Sequence, residues 1–399
     1  MTQRALVIAA LAEQESEIHG ALDCDDSRLL TRIVEQLGGA VKADWASERL
    51  SVTPIHHPLL SARPSLQCGN AGTAMRFSSA LALLAPGGAL LDGDARMRER
   101  PVAPLADSLR QLGAEVFYEG EEGYPPLRVV ASGAMGSKAQ LDASLSSQFA
   151  SALLLVAPRL PEGLTLTLQG AEVSRPYLEM TVSMMRRAGA TVQCPRPDVF
   201  DVAASGYRIP GRPAAQHVEP DWSASAFVWA AAWVLGVQIG IPGLLPAQTS
   251  TQGDAVFPAF LKELERARPH RFDLGPTPDL IAPLAVAALF ASHPTRIENA
   301  AHTRVKESDR IAVLSAGFRD VGAEVHEFDD GMEILPGIDP VGPVILDPAG
   351  DHRMAMAFGL LSLESAGISV REPDCVSKSY PAFWKDLERL RLHRDARFR

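Results

Sequence analysis

Four cysteines among 399 residues, Cys24, Cys68, Cys194 and Cys375, are too few and too scattered for a disulfide framework. No C-x-x-C pair and no Cys/His ligand spacing occurs, so no metal site is expected, and reduced thiols in a cytoplasm are the reading. Basic charge is also short: Lys+Arg 38 against Asp+Glu 48 leaves a net charge of −10. That excludes a general nucleic-acid binder, whose phosphate contacts need a cationic face. The N-terminus has no charged-then-apolar secretion signal. The one long apolar run, Ala226 to Leu245, is interrupted by Gly236, Gly240 and Pro242. It reads as a buried helix followed by a short buried strand, not as a membrane span. With 46% hydrophobic and 22% charged residues the chain is globular, and its length calls for two domains or a repeat assembly.

Repetition organises what is present. A helical pattern, a glycine and a valine-bearing run recur as LGGAV (Leu37–Val41), LGAEV (Leu112–Val116), AGATV (Ala188–Val192) and VGAEV (Val321–Val325). A glycine directly after a helix suits its C-cap, and the run behind it reads as a strand. In a second phrase, a polar cluster opens an Ala/Leu-rich helix that passes into a short strand. The openings lie near Arg4, Asn70, Ser146, Asp221, Asp279 and Asp351, at intervals of roughly 60 to 75 residues, as in a repeat protein. Six helix–strand–helix–strand units follow. Grouped three and three, they give an α/β fold: a two-domain, inside-out assembly with buried helices and outer sheets, its lobes at 1–216 and 217–399. The first unit has only Met1, Thr2 and Gln3 ahead of Arg4, so its opening and its strand are expected to be absent. The last unit stops early at the basic tail RLRLHRDARFR, to which the sequence assigns no function.

Helix N-termini carry unpaired N–H groups and a positive dipole end, which suit carboxylates and phosphates. A single opening is an ordinary N-cap; six in register could converge on one cleft. Cations cluster near them. DGDARMRERP places Arg96, Arg98 and Arg100 just before Pro101, read as a helix start; the bland alternative is a solvated charge run. In RVKESDR, Lys306, Glu307 and Arg310 enter a helix, with Glu307 and Arg310 at i,i+3, as a site or as a surface ion pair. In GDHRMAMA, Asp351 caps a helix while His352 and Arg353 occupy its first turn. The dipole disfavours cations there, so they need another reason, such as a bound anion. GNAGTAMR holds Gly69 and Gly72, allowing close backbone approach, and it is neither G-x-G-x-x-G nor a Walker loop, so no nucleotide is implied.

Taken in order, GNAGTAMR (69–76), GDARMRERP (93–101), SSQF (146–149), SRPY (174–177), STQGD (250–254), PD (278–279), RVKESDR (304–310), DHRMAM (351–356) and SKSYP (377–381) resemble the 5-enolpyruvylshikimate-3-phosphate synthase family over nearly the whole chain. The resemblance implies two domains of three units each and a carboxyvinyl transfer in aromatic amino acid biosynthesis. The 5-hydroxyl of shikimate 3-phosphate attacks C2 of phosphoenolpyruvate, a tetrahedral phospholactoyl adduct forms, and phosphate leaves. No metal and no organic cofactor are implied. Carried across position by position, Arg4, Ser146, Ser147, Gln148, Ser174, Tyr177, Asp279, His302 and Lys306 would hold shikimate 3-phosphate. Gly72, Arg100, Gln148, Arg310, Arg353 and Lys378 would hold phosphoenolpyruvate. Asp279 would take the hydroxyl proton and Glu307 would handle the proton on the methylene carbon. A cytoplasmic monomer without nucleic-acid or membrane partners is expected. Arg forks fit carboxylates and phosphates, and two carboxylates in different surroundings suit a base and an acid.

Three departures carry consequences. The family places S-K-S shortly before the arginine matched by Arg4, and here no serine or lysine precedes it. A chain beginning at Met1 is expected to lose much activity; a start codon set too far downstream would explain the absent lysine and strand together. His302 stands where the family often has Asn, and Phe77 where many members have Pro. Gly72 is retained, so glyphosate inhibition is expected. One alternative is a catalytically impaired paralogue that still binds shikimate 3-phosphate. The other is the related enolpyruvyl transferase acting on UDP-N-acetylglucosamine, whose reactive cysteine has no counterpart in DGDARMRERP.

Overall fold

The computed structural model describes residues 1–55, 64–85, 87–131, 135–170, 173–365 and 367–397. The chain divides into two compact units, Met1–Glu219 and Pro220–Arg399.

In unit 1 the helices are α1 (Thr2–Ala10), α2 (Asp25–Gln36), α3 (Gly72–Leu81), α4 (Ala103–Gln111), α5 (Ser147–Val156) and α6 (Arg175–Arg187). The odd-numbered three are buried on nearly every face and pack on one another, one from each repeat. The even-numbered three bury one face only, as an amphipathic pattern dictates. Each even helix ends two residues before the repeated glycine. Gly38, Gly113 and Gly189 lie at φ 96°, 92° and 87°, a region other residues enter only at a cost. The valine-bearing strands follow at Ala40–Asp44, Ala114–Tyr118 and Val192–Arg196.

Each repeat lays one four-stranded sheet over the helices. In the second, Ser65–Gln67 runs parallel to Ala89–Asp92, which pairs antiparallel with Leu127–Ala131 and that with Ala114–Tyr118. The third repeats this order with Lys138–Asp142, Leu164–Gln169, Val199–Val202 and Val192–Arg196.

No strand precedes α1, as expected, yet the first sheet still has four strands. Ala215–His217 fills the leading position, parallel to Ser16–His19, with Glu17 opposite Ala215 and His19 opposite His217. The slot left by the first repeat is thus taken by the last strand of the same unit. Val218 N–H then donates to His19 O at 2.9 Å, which holds residues 217–219 in unit 1 and moves the boundary past the expected 216/217.

In unit 2 the helices are α7 (Trp222–Leu235), α8 (Phe257–Leu264), α9 (Ile281–Leu289), α10 (Arg310–Asp320), α11 (His352–Leu361) and α12 (Phe383–Arg397). Helices α7, α9 and α11 form the buried trio, and all nine residues of α9 are buried. Gly322 at φ 78° ends α10 as its counterparts end the even helices of unit 1. The middle repeat has a full sheet, ordered His270–Asp273, Thr295–Glu298, Gly331–Ile334 and Val325–Phe328. The last has two parallel strands, Val344–Leu346 and Ile368–Val370.

The strand expected before Leu245 is not there. Gly236 at φ 62° caps α7, and residues 237–252 run as turns with Leu245 surfacing. Pro242 and Pro246 lack the N–H a ladder needs. Among the described residues no helix is long and apolar enough to cross a membrane.

Candidate active site

The predicted residues fall into two sets, one in each unit. In unit 1 they lie at the openings of α1, α3, α5 and α6 and in the turn ahead of α4. Arg4, third residue of α1, is buried, and its Nε donates to Thr181 Oγ1 at 2.7 Å. Thr181 also bonds Ser151 Oγ (2.9 Å) and donates to Tyr177 O (2.9 Å). This ties α1, α5 and α6 together. The Arg4 guanidinium stands 5.6 Å from the Phe77 ring centroid on α3, a cation–π contact. Burial, only partly opposed by Tyr177, pushes Arg4 down to about 10, so it stays charged at neutral pH. Phe77, noted in the sequence only as a departure, therefore carries a direct contact to a predicted site residue.

Ser146 caps α5, its Oγ accepting from Gln148 N–H at 3.2 Å, and Ser147 is buried behind it. Ser174 opens α6 at φ 60°, a left-handed conformation that a serine adopts rarely and at a cost. Tyr177 follows one turn later, half-buried.

Arg96, Arg98 and Arg100 separate in the structure. Arg96 pairs with Glu99 (2.7 Å) and Arg98 with Asp92 (2.6 Å), both on the surface. Arg100 is buried and donates through Nη1 to the backbone and side-chain oxygens of Asn70, both at 3.0 Å. Helix α4 begins at Ala103, not at Pro101: Arg100 precedes a proline and is extended, at φ −98° and ψ 122°. Beside Arg100 lies Arg76, also buried, which donates to Gly72 O and Pro101 O (both 3.2 Å) and faces the Phe149 ring at 5.6 Å. Gly72 sits against both guanidiniums. A β-carbon there would meet Arg100 Nη2 and come within 2.8 Å of Arg76 Nη1.

The unit 2 set is a closed charge network. Arg310, first residue of α10 and 2% exposed, holds three carboxylates: Nη1 to Asp279 Oδ1 (3.0 Å), Nη2 to Glu307 Oε2 (2.9 Å) and Nε to Asp351 Oδ2 (2.9 Å). Arg353 Nη2 takes the other Asp279 oxygen at 2.9 Å, and Lys378 Nζ lies 3.7 Å from Glu307 Oε1. Asp351 caps α11 through Arg353 N–H (2.9 Å) and accepts from Ser308 Oγ (3.1 Å). The pairing of Glu307 with Arg310 is thus not a surface ion pair.

Burial would raise the Asp279 carboxyl, and Glu307 adds to that, but Arg353, Arg310 and Lys306 outweigh both and hold it at about 2. Asp351 is likewise held below the usual carboxylate range, its burial outweighed chiefly by Arg310. Arg310, for all its burial, is raised by Asp351, Glu307 and Asp279. Burial first, then Lys306, lowers His302 to about 4. Burial lowers His352 to about 3 against the pull of Asp351. That corrects one inference. His352 is neutral, and Arg353 turns to Asp279, so the first turn of α11 does not by itself demand an external anion.

The structure thus gathers Asp279, Glu307, Arg310, Arg353 and Lys378 in unit 2, with Lys306 and His302 in the same field. It gathers Arg4 and Tyr177 around Thr181, and Gly72 with Arg100, in unit 1. Sequence reading missed Arg76, Ser151, Thr181 and Ser308. It also took Asp351 for a cap alone, because a cap explains only one of its two oxygens. Thr181 carried a faint signal, lying one turn after Tyr177. Among the described residues no group of His, Cys, Asp and Glu is placed to hold a metal ion.

A sequence profile for EPSP synthase (3-phosphoshikimate 1-carboxyvinyltransferase) matches residues 1–387. A 3-phosphoshikimate 1-carboxyvinyltransferase of Methanoculleus marisnigri is 38% identical, covering 97% of this chain and 93% of its own. Another, of Shewanella amazonensis, is 34% identical over 98% and 94%. A solved structure of EPSP synthase from Acinetobacter baumannii superposes with a TM-score of 0.76 at 22% identity, over 98% of this chain and 93% of that one, a likeness of fold.

Proposed function

We infer the chemistry from kinship and geometry together: the chain belongs to the EPSP synthase family, and it transfers the carboxyvinyl group of phosphoenolpyruvate to the 5-hydroxyl of shikimate 3-phosphate, releasing phosphate. The residue roles are our proposal. Arg4, Ser146, Ser147, Gln148, Ser174 and Tyr177 bind shikimate 3-phosphate in unit 1, joined by Asp279, His302 and Lys306 of unit 2. Gly72, Arg100 and Gln148, with Arg310, Arg353 and Lys378, bind phosphoenolpyruvate. Asp279 takes the proton from the attacking hydroxyl, and Glu307 serves the methylene carbon of the adduct. A cytoplasmic monomer fits two such charged, diffusible substrates.

The observation that carries these roles is the gathering of three cations around two half-exposed or buried carboxylates in unit 2. Arg310 and Arg353 offer planar forks for carboxylate and phosphate, and Lys378 a point charge. Asp279 and Glu307 stand within hydrogen-bond reach of the same guanidinium, so a ligand held there meets both a base and an acid. Phosphate release from the purified chain with both substrates tests the reaction, alongside a form extended upstream by the residues encoded in frame. Release that requires both substrates is the expected result. No release from either form overturns it.

A further inference from the structure

Arg4 is a buried arginine whose partners are all neutral. Among the described residues no carboxylate pairs with it, and its two Nη groups make no hydrogen bond to the protein. Its Nε donates to Thr181 Oγ1 at 2.7 Å, and its Cζ stands 5.6 Å from the Phe77 ring centroid. Taking a cation out of water is costly unless something answers its charge. A neutral hydroxyl answers part of it. The negative face of an aromatic ring answers more, and most strongly where water is excluded. Phe77 supplies that face from α3, where it is itself 1% exposed. The hydroxyl is held in turn, since Thr181 donates to Tyr177 O and bonds Ser151 Oγ, both at 2.9 Å. The same kind of contact recurs one repeat on. Arg76, the residue before Phe77, stands 5.6 Å from the buried Phe149 ring of α5. Phe77 stands where many family members have proline, which offers no ring, so the Arg4 contact belongs to this chain and not to the family pattern.

We propose that Phe77 is a positioning residue for shikimate 3-phosphate: its ring holds the Arg4 guanidinium in place without neutralising it, leaving the charge to an anionic group of that substrate. This rests on the role proposed above for Arg4. A carboxylate in the place of Phe77 would grip the arginine harder, and the incoming anion would have to displace it. A ring attracts the cation and brings no charge of its own to compete. Burial lowers Arg4 only to about 10, so the cation held in this way stays charged through the neutral range. Phe77 itself touches no substrate in this scheme; it acts through Arg4.

Fluorine drains electron density from a ring face and barely changes the ring's size. The full chain is therefore made with mono-, di- and trifluorinated phenylalanine in place of Phe77, and steady-state kinetics are measured with each substrate varied in turn. KM for shikimate 3-phosphate is expected to rise stepwise, by about fivefold over the series, the scale of a buried cation–π contact. Turnover and KM for phosphoenolpyruvate should hold. A flat series overturns the proposal, and so does an equal rise of both KM values, which a general packing role would give. Calorimetric titration of shikimate 3-phosphate then compares the effect of Phe77→Leu in the wild-type chain and in the Arg4→Met background. Weaker binding in the first and no further loss in the second are expected; an undiminished loss in the Arg4→Met background shows Phe77 acting on its own and overturns the idea. Wild-type phosphate release with both substrates judges the underlying reaction, so a chain that turns over but gives a flat series sinks this inference alone.

Discussion

Gly72 lies against the guanidinium of Arg100, so closely that a methyl group on its α-carbon would overlap Nη2. Arg100 is in turn fixed by two bonds to Asn70. The backbone of one repeated helix opening thereby sets where a cation from the following turn can stand. Gly72→Ala is expected to displace Arg100 and weaken phosphoenolpyruvate binding by about tenfold, the scale of a disturbed charge-assisted contact. Shikimate 3-phosphate binding should be largely spared. Separate titrations of the two ligands check this; equal loss of both contradicts the assignment of Arg100.

Thr181 is the acceptor for the Arg4 Nε. Replacing it with Val keeps the volume and leaves a buried donor of a charged group without its partner, at a cost of about 1.5–3 kcal/mol. The expected result is a lower urea midpoint together with weaker shikimate 3-phosphate binding. Thr181→Ser should restore both, which a pure packing role would not predict.

Glu307→Gln keeps the shape of the side chain and removes its charge and acidity. Turnover is expected to fall by about 100-fold or more, the range of lost general acid–base catalysis. Shikimate 3-phosphate affinity should hold, because Glu307 pairs with Arg310 and Lys378, both proposed for phosphoenolpyruvate. A collapse of that affinity in equilibrium binding would assign Glu307 to the wrong ligand.

Arg310→Met is expected to destabilise the protein by about 3–5 kcal/mol, since it removes the guanidinium that three carboxylates share and leaves buried Asp351 without its arginine. Urea unfolding followed by far-ultraviolet circular dichroism measures it. The loss should shrink in acid, where the stranded carboxylates can take up protons.

His302 and His352 are neutral in the folded chain, lowered by burial to about 4 and about 3. The unfolded histidine ionises near pH 6.5, so below that the unfolded chain binds more protons than the native one. Stability from these groups is therefore complete above about pH 6.5 and declines as pH falls toward the folded values. The Asp279 contribution behaves in a lower window: it is intact above about pH 4 and is lost toward about 2. Urea midpoints between pH 7 and 4 should fall, and His302→Asn should remove about 3 kcal/mol of the decline at pH 4.

The repeated glycines were the most legible feature of the sequence. A glycine after a helical stretch has one efficient use, and Gly38, Gly113, Gly189 and Gly322 all adopt it. The charged motifs were legible as motifs, but the helical spacing read for Glu307 and Arg310 does not apply: α10 begins at Arg310, and Glu307 reaches it from the turn ahead of the helix. What spacing could not give was partner choice. Arg98 and Arg100 are two residues apart, yet one pairs with Asp92 at the surface and the other is buried against Asn70. The difference lies in which strand end faces each, a property of the folded sheet. Likewise, no local pattern links Ser16–His19 to Ala215–His217, because the pairing joins segments from opposite ends of a unit.

That pairing has a dynamic consequence. The strand completing the first sheet is also the stretch by which the backbone leaves unit 1, so any fraying of the exit peels an edge from the sheet. Amide deuteration at Gln216 and His217 should then rise in step with that at His19, as one cooperative opening, while the central strands of the other two sheets stay protected.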